Sequence, residues 1–563
     1  MKYLIKLIQK FNRQICKLFR NDIFLFFVVV SFVASLLLVL PRTYRINDNV
    51  AILFKAEQGF ISEFTSFFYM KLLHILYQMS NDMPWYGLTL YFVHILSLFI
   101  FVRSLARIKN FDTFFIPFLI VYFYFYSFFI LQVDYTSTSI MVGANSLFAF
   151  LVLLSSRKVS IFYVLGLGLL FSLSFSIRMQ SAYAVLVYGL PIIGLFLIYQ
   201  YQKTKYFVIF FMPFLLLLIG DNLARTHLTS PEYQQYHEFN NLRGNLHGYP
   251  IIEANRNNNK ILAKNNWTKN DYDSFANWVI FFDERKYNTN TLGNIFKYSV
   301  LEKENKIQKY FDLYFYRLKR LIKHHIQWSV FLILFIAMLI VFKFYWFIVS
   351  IIFCYLFYAI SFSVYMDIFY RFPDRIAFPI LLMCASFIIL LIFHLLPPKF
   401  STKNTNHRIF VATFIFSVLW FLFNIGIYQN LSPNTAFQLS LNKLQSLYKE
   451  KIFFFVHPAF GLKLENLDPL KKYHLNFEMI PNGTGTFSPR FYNSLEKLGI
   501  KTGYEIIPVL INNPNAYIIA PSKKNDFLTL FLNYIMANYQ IKCKVVLIDQ
   551  LANGSVILKL KPK

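Results

Sequence analysis

Runs of about 17–25 apolar residues recur along most of this chain, each long enough to cross a bilayer as a helix. They fall near 23–40, 84–102, 113–131, 139–155, 160–177, 182–200, 206–220, 328–342, 345–365, 376–396 and 409–427, about eleven in all. A backbone in hydrocarbon must satisfy its own hydrogen bonds, so such runs have little choice but to be helices. Over 563 residues the chain is 56% hydrophobic and 20% aromatic, a level soluble domains rarely sustain. The expected fold class is therefore an α-helical polytopic membrane protein.

The formal net charge of +28 would suggest nucleic acid in a soluble protein. Here no recognition motif accompanies it, and Lys and Arg instead flank the apolar runs, where they orient helices and meet anionic headgroups of membrane lipids. Lys2, Lys6, Lys10, Arg13, Lys17 and Arg20 precede the first run, which is longer than a signal-peptide core and lacks a small-x-small site before Pro41. It reads as a retained helix with the N-terminus cytoplasmic. That choice puts Arg103/Arg107/Lys109, Arg157/Lys158, Lys203/Lys205, Lys343 and Lys399/Lys403/Arg408 on the cytoplasmic side, while the opposite turn at 132–138 has no basic residue.

The same orientation divides the chain into four parts. A membrane region spans 1–220, with a first external loop at 41–83; an external polar insertion covers 221–327; membrane helices return over 328–427; an external tail fills 428–563. In the insertion, Thr268 or Asn270 is expected to cap a helix over 272–282, and 298–321 has the periodicity of an amphipathic helix on the membrane surface. In the tail, strand-like runs at 452–456, 506–511, 516–520 and 544–549 alternate with helical stretches at 488–499 and 525–539, the pattern of a small α/β domain.

Ionisable groups at a membrane edge are functional candidates, because charge is costly in hydrocarbon. Asp48, Glu57, Asp134, Arg178, and Arg371 with Arg375 all fall at the external ends of helices or in adjoining loops. Asp48 and Glu57 are nine residues apart, opposite faces of one helix, so a paired-carboxylate site is disfavoured. Asp48 reads either as a solvated helix end or as a single base that takes a proton from a hydroxyl. Asp134 reads as an N-cap or as a ligand for a sugar hydroxyl or, with meagre support, a divalent cation. Arg178 reads as a snorkelling side chain or a fork for a lipid phosphate. Arg371 and Arg375 bracket Asp374 and either pair with it or clamp a second phosphate. His324-His325 mark an interfacial helix end.

Other chemistries find little support. Cys16, Cys354, Cys384 and Cys543 have no paired spacing. Gly483-Thr-Gly485 reads as a turn, since no P-loop lysine follows, and Walker, zincin and G-x-S-x-G motifs are missing from the sequence. No cofactor is indicated.

Several short segments together resemble the GT-C-type polytopic glycosyltransferases, and within them bacterial membrane proteins near the O-antigen glucosyltransferases. They are Asn47-Asp48-Asn49 followed by Gly59, Met83-Pro-Trp85-Tyr86-Gly87, Gln132-Val-Asp-Tyr-Thr-Ser137, Ser176-Ile-Arg178, and Asn240-Asn241-Leu-Arg243 with Asn270-Asp271-Tyr272. The resemblance implies a bacterial cytoplasmic membrane protein, a polyprenyl-phosphate sugar as donor and an acid in the first external loop. Carried over, Asp48 is the base and Arg178 a phosphate ligand. Many relatives show two adjacent acids where this chain has Asp48-Asn49, which puts metal binding, and activity itself, in question.

The expected function is transfer of a sugar from that donor to an envelope glycan acceptor at the outer face of the membrane. A glycan polymerase or ligase and a non-catalytic envelope protein remain as alternatives. A flippase is disfavoured, because neither mid-bilayer charges nor internal repeats are present.

Overall fold

The computed structural model describes residues 14–108, 111, 115–156, 158–247, 259–279, 282–301, 316, 346–369, 372–395, 435–456, 464–473, 475–522 and 526–563. The membrane part comprises α1 (Asp22–Val39), a two-residue strand β1 (Thr43–Tyr44), α2 (Asn47–Glu57), α3 (Phe67–Met79), α4 (Trp85–Leu105), α5 (Phe115–Leu131), a second short strand β2 (Gln132–Val133), α6 (Tyr135–Leu154), α7 (Ile161–Ile177), α8 (Met179–Tyr199) and α9 (Thr204–His227). Beyond it lie α10 (Pro231–His247), α11 (Asn259–Lys264), α12 (Lys269–Ala276) and α13 (Thr289–Leu301); α14 (Trp346–Phe369) and α15 (Asp374–Leu395) return to the bundle. Among the described residues, α1, α4, α6, α8, α9, α14 and α15 are long and apolar enough to span a bilayer, and α5 and α7 are shorter apolar helices. The protein is a multi-pass membrane protein. These nine correspond to nine of the expected spans. The runs at 328–342 and 409–427 lie outside the described residues, as do His324-His325 and most of 298–321.

α6 is the central helix, buried almost throughout and packed against α4, α7, α8 and α15. Asn145, a polar interruption of its apolar run, is satisfied across helices: it accepts from the Tyr122 hydroxyl at 2.8 Å and donates to Ser97 at 2.9 Å. Interhelical bonds of this kind act as glue where no water competes. α1 packs on α4 and α5, and Arg103 grips Asp22 through two bonds of 2.7 and 2.5 Å.

The first loop is itself helical. α2 buries all but one face, and Gly59 ends it with φ +79, a conformation that favours glycine. α3, which the apolar runs do not announce, is capped twice: Ser66 accepts from Tyr69 N–H, and Asp221 of α9 accepts from Phe67 N–H at 2.6 Å.

The tail consists of α16 (Thr435–Leu447), β3 (Ile452–Phe455), β4 (Glu478–Met479), α17 (Pro489–Lys497), α18 (Ile506–Asn512), β5 (Ala516–Ala520), α19 (Asp526–Tyr539), β6 (Cys543–Gln550) and β7 (Val556–Pro562). The sheet order is β4-β3-β5-β7-β6, parallel through β4, β3 and β5 and antiparallel at β7 and β6. The expected strand at 506–511 is instead helix α18. Ile506, Ile507 and Leu510 bury one face at helical spacing, and no sheet edge takes them up. Strand β7, absent from the sequence expectation, buries Val556, Ile557 and Leu558 where it pairs with β5 and is exposed only at Lys561 and Pro562.

The insertion and the tail share one apolar core. Phe239, Trp267, Phe275 and Phe282 pack with Phe454, Phe491, Ile518 and Phe531. Thr268 is the N-cap of α12, in a reciprocal capping box with Asp271. α12 stops at Ala276 rather than near 282, since Asn277 caps it and Trp278 takes φ +59.

Candidate active site

Two short strands bring separate loops together. Thr43 and Tyr44 pair in parallel with Gln132 and Val133, and Arg45 N–H donates to Val133 at 3.2 Å. This sets the start of α2 beside the start of α6. Asp48 lies in the first turn of α2, where the helix dipole favours negative charge.

Its carboxylate is partly exposed, at 27%. Oδ2 takes two weak contacts of 3.4 Å, one from Arg375 of α15 and one from the hydroxyl of Tyr135. The guanidinium of Arg178 stacks on the Tyr135 ring, 4.8 Å from its centroid, and donates to Thr136 Oγ1. Arg178 occupies the extended break between α7 and α8, which holds it at the end of the bundle rather than inside it. Asp48, Arg375 and Arg178 thus converge around one aromatic ring, and Arg375 Nε is buried with no hydrogen-bond partner.

Asp134 adjoins this group through Asn49, the neighbour of Asp48. It is fully buried and caps α6 through Ser137 N–H at 3.2 Å, while Oδ1 accepts from Asn49 Nδ2 at 3.3 Å. Both oxygens are therefore engaged inside the protein. Asn49, also fully buried, accepts through Oδ1 from the Tyr86 hydroxyl at 2.9 Å and from Tyr135 N–H at 3.0 Å. The position next to Asp48 is a joint between α2, α4 and α6.

Glu57 is not brought to Asp48. It sits at the far end of α2 and pairs with Lys472 at 2.5 Å. Arg371 lies outside the described residues.

Basic charge dominates the surroundings. Arg45 lies near Asp134, Asp374 and Arg375, with its guanidinium over Phe378; burial pulls it below the usual arginine value, and the two carboxylates oppose that pull. Arg243 of α10 is buried, bonded to Asn240 at 2.9 Å and stacked on Trp278. Burial lowers it too, against the fields of Tyr236, Glu63 and Asp48. Lys55, two turns after Asp48 on the same face of α2, pairs with Glu63 beside Tyr236.

Tyr135, Arg45, Asn49 and Arg243 are functional candidates that reasoning from charge at helix ends passed over. Three of them adjoin or lie close to a chosen acid in sequence, and Arg243 stands in the Asn240–Arg243 segment that carried the resemblance. Neighbourhood was the available signal.

Chemically, the site offers a carboxylate with unfilled acceptor capacity next to two guanidinium groups, one of them with a free donor. That set suits accepting a proton while holding an anion. Among the described residues, no three His, Cys, Asp or Glu side chains group as a metal site, and Asn49 Oδ1 is already taken by two donors.

No family model matches the sequence, and no curated protein does. Among solved structures the chain is similar to ArnT from Cupriavidus metallidurans bound to undecaprenyl phosphate, at 12% identity and a TM-score of 0.39, and to its apo state at 10% and 0.39; each alignment covers 94% of this chain and 97% of the other.

Proposed function

We propose that this protein transfers a sugar from a polyprenyl-phosphate donor to a cell-envelope glycan at the outer face of a bacterial cytoplasmic membrane. The observation that carries the reading is the partly open Asp48 carboxylate, held at one end of the helix bundle between Arg375 and the Tyr135–Arg178 stack. In an inverting displacement, Asp48 takes the proton of the acceptor hydroxyl as its oxygen forms the new bond to the anomeric carbon. The bond from that carbon to the phosphate oxygen breaks, and the electron pair leaves with the phosphate. Arg375, through its unpartnered Nε, and Arg178 receive the charge that develops there.

Asp134 serves as a positioning group in this scheme, and both soluble parts shape the acceptor side. The distribution of basic residues supports an external site. Each role has a physical demand: the base needs a free lone pair, and the leaving phosphate needs permanent positive charge.

The test is Asp48→Asn in the native host, with envelope glycans and lipid-linked sugars profiled by mass spectrometry. Loss of one glycan modification, with the lipid-linked donor accumulating at normal protein levels, is the expected result. An unchanged profile, with the wild-type gene shown to be required, would overturn the role of Asp48.

A further inference from the structure

The helix that carries Asp48 is held at both ends by a strap from the opposite end of the chain. α2 has only 11 residues, too few to be stable alone, so its orientation is set by what it touches. Residues 464–473, in the loop between β3 and β4, supply much of that contact. Leu467, itself fully buried, accepts from Tyr44 N–H at 3.3 Å. Asp468 takes Arg42 in a fork, Nε at 2.8 Å and Nη2 at 3.1 Å. Pro469 presses on the start of α4 so closely that a Cβ on Gly87 would sit 1.9 Å from its carbonyl oxygen.

At the other end Lys472 pairs with Glu57 at 2.5 Å, also reaches Asn81 at 3.3 Å, and lies over the ring of Tyr77. Lys472 is 10% exposed and Glu57 17%, so this is a largely desolvated pair. Breaking such a pair costs far more than breaking a surface one, because the remaining charge is left uncompensated.

We infer that Lys472 and Glu57 are positioning residues: the tail strap fixes the tilt of α2, and through it the placement of Asp48 against Arg375. The inference rests on the reading of Asp48 as the base only for its catalytic consequence; the mechanical part stands separately. A contact of 3.4 Å between Asp48 and Arg375 leaves little tolerance for a rotated helix.

The test uses the full chain in lipid nanodiscs. Hydrogen exchange is followed over 43–57 in Lys472→Glu, Glu57→Lys, the Lys472→Glu/Glu57→Lys swap and the conservative Lys472→Arg, with glycan transfer measured in cells for each. Exchange is expected to quicken about tenfold in either single reversal and to return to within about twofold of wild type in the swap and in Lys472→Arg. Transfer should fall and recover in the same order. If a reversal fails to accumulate, Arg42→Lys loosens the other end of the strap and should quicken the same segment. Wild-type exchange in the single reversals, or a swap no better than they are, overturns the strap whatever Asp48→Asn does. Strap-dependent exchange together with normal glycans in Asp48→Asn would instead keep the strap and remove the base.

Discussion

Asn49 donates its side-chain amide to the Asp134 carboxylate across 3.3 Å while its oxygen accepts from Tyr86 and Tyr135. An amide can do both at once; a carboxylate cannot donate. Asn49→Asp would therefore set two carboxylates against each other in a buried site and lose the bond to Asp134. The expected cost is about 2–4 kcal/mol of stability, with no gain in transfer activity from the second acid. Thermal unfolding of the purified protein and glycan profiling check the two halves.

Tyr135 separates the roles of its ring and its hydroxyl. Tyr135→Phe keeps the surface on which Arg178 stacks and removes the donor to Asp48. Transfer should drop about 3- to 10-fold with protein levels unchanged, in line with one weak hydrogen bond. Arg178→Lys should cost more, because a lysine neither stacks nor presents a fork. Initial rates in isolated membranes order the two variants.

Much of this architecture is legible in the sequence, since hydrophobic length alone sets a membrane helix. Charge in hydrocarbon likewise marks Asp48, Arg178 and Arg375 as candidates, and the structure brings them around one ring. What escapes is of two kinds. α3 takes part of its N-terminal capping from Asp221 on another helix, and the seven residues of α18 form an apolar run too short for periodicity to tell a buried helix from a strand. The partners of Glu57 and Asp134 depend on contacts between residues distant in sequence, with Lys472 lying 415 positions from Glu57. Periodicity carries no information about such pairs.

Acid should loosen the tail at one identifiable place. Burial alone would raise the Asp549 carboxyl, but hydrogen bonds from Lys443 at 2.6 Å, Gln550 N–H and Tyr448 at 3.0 Å outweigh it and hold it below the usual aspartate value. The unfolded chain then binds a proton that the folded one refuses. Asp549 thus contributes stability above the ordinary aspartate value, and that contribution is lost as pH falls through the depressed one. After solvent screening it amounts to about 1 kcal/mol. Asp549→Asn should be less stable than wild type near about pH 6 and lose less on going to about pH 3.5, as read from melting curves.

The joint between insertion and tail depends on one glycine. A Cβ at Gly503 would lie 1.9 Å from the carbonyl oxygen of Phe282, a backbone atom that cannot swing aside as a side-chain tip can. Glu284, two residues on, accepts from Gly503 N–H at 2.7 Å and from Tyr504 N–H at 3.2 Å, so the two segments are bonded where they touch. Gly503→Ala must push Phe282 out of the shared core or break those bonds, at an expected cost of about 3 kcal/mol. Gly293 gives the control: it lies within α13, where the nearest atom to a new Cβ is Leu242 at 3.9 Å, and alanine there should be neutral or stabilise by up to about 1 kcal/mol. Limited proteolysis of the full chain should cut Gly503→Ala within the insertion and leave Gly293→Ala as resistant as wild type. Equal resistance in both would mean that the tail and the insertion do not depend on this contact.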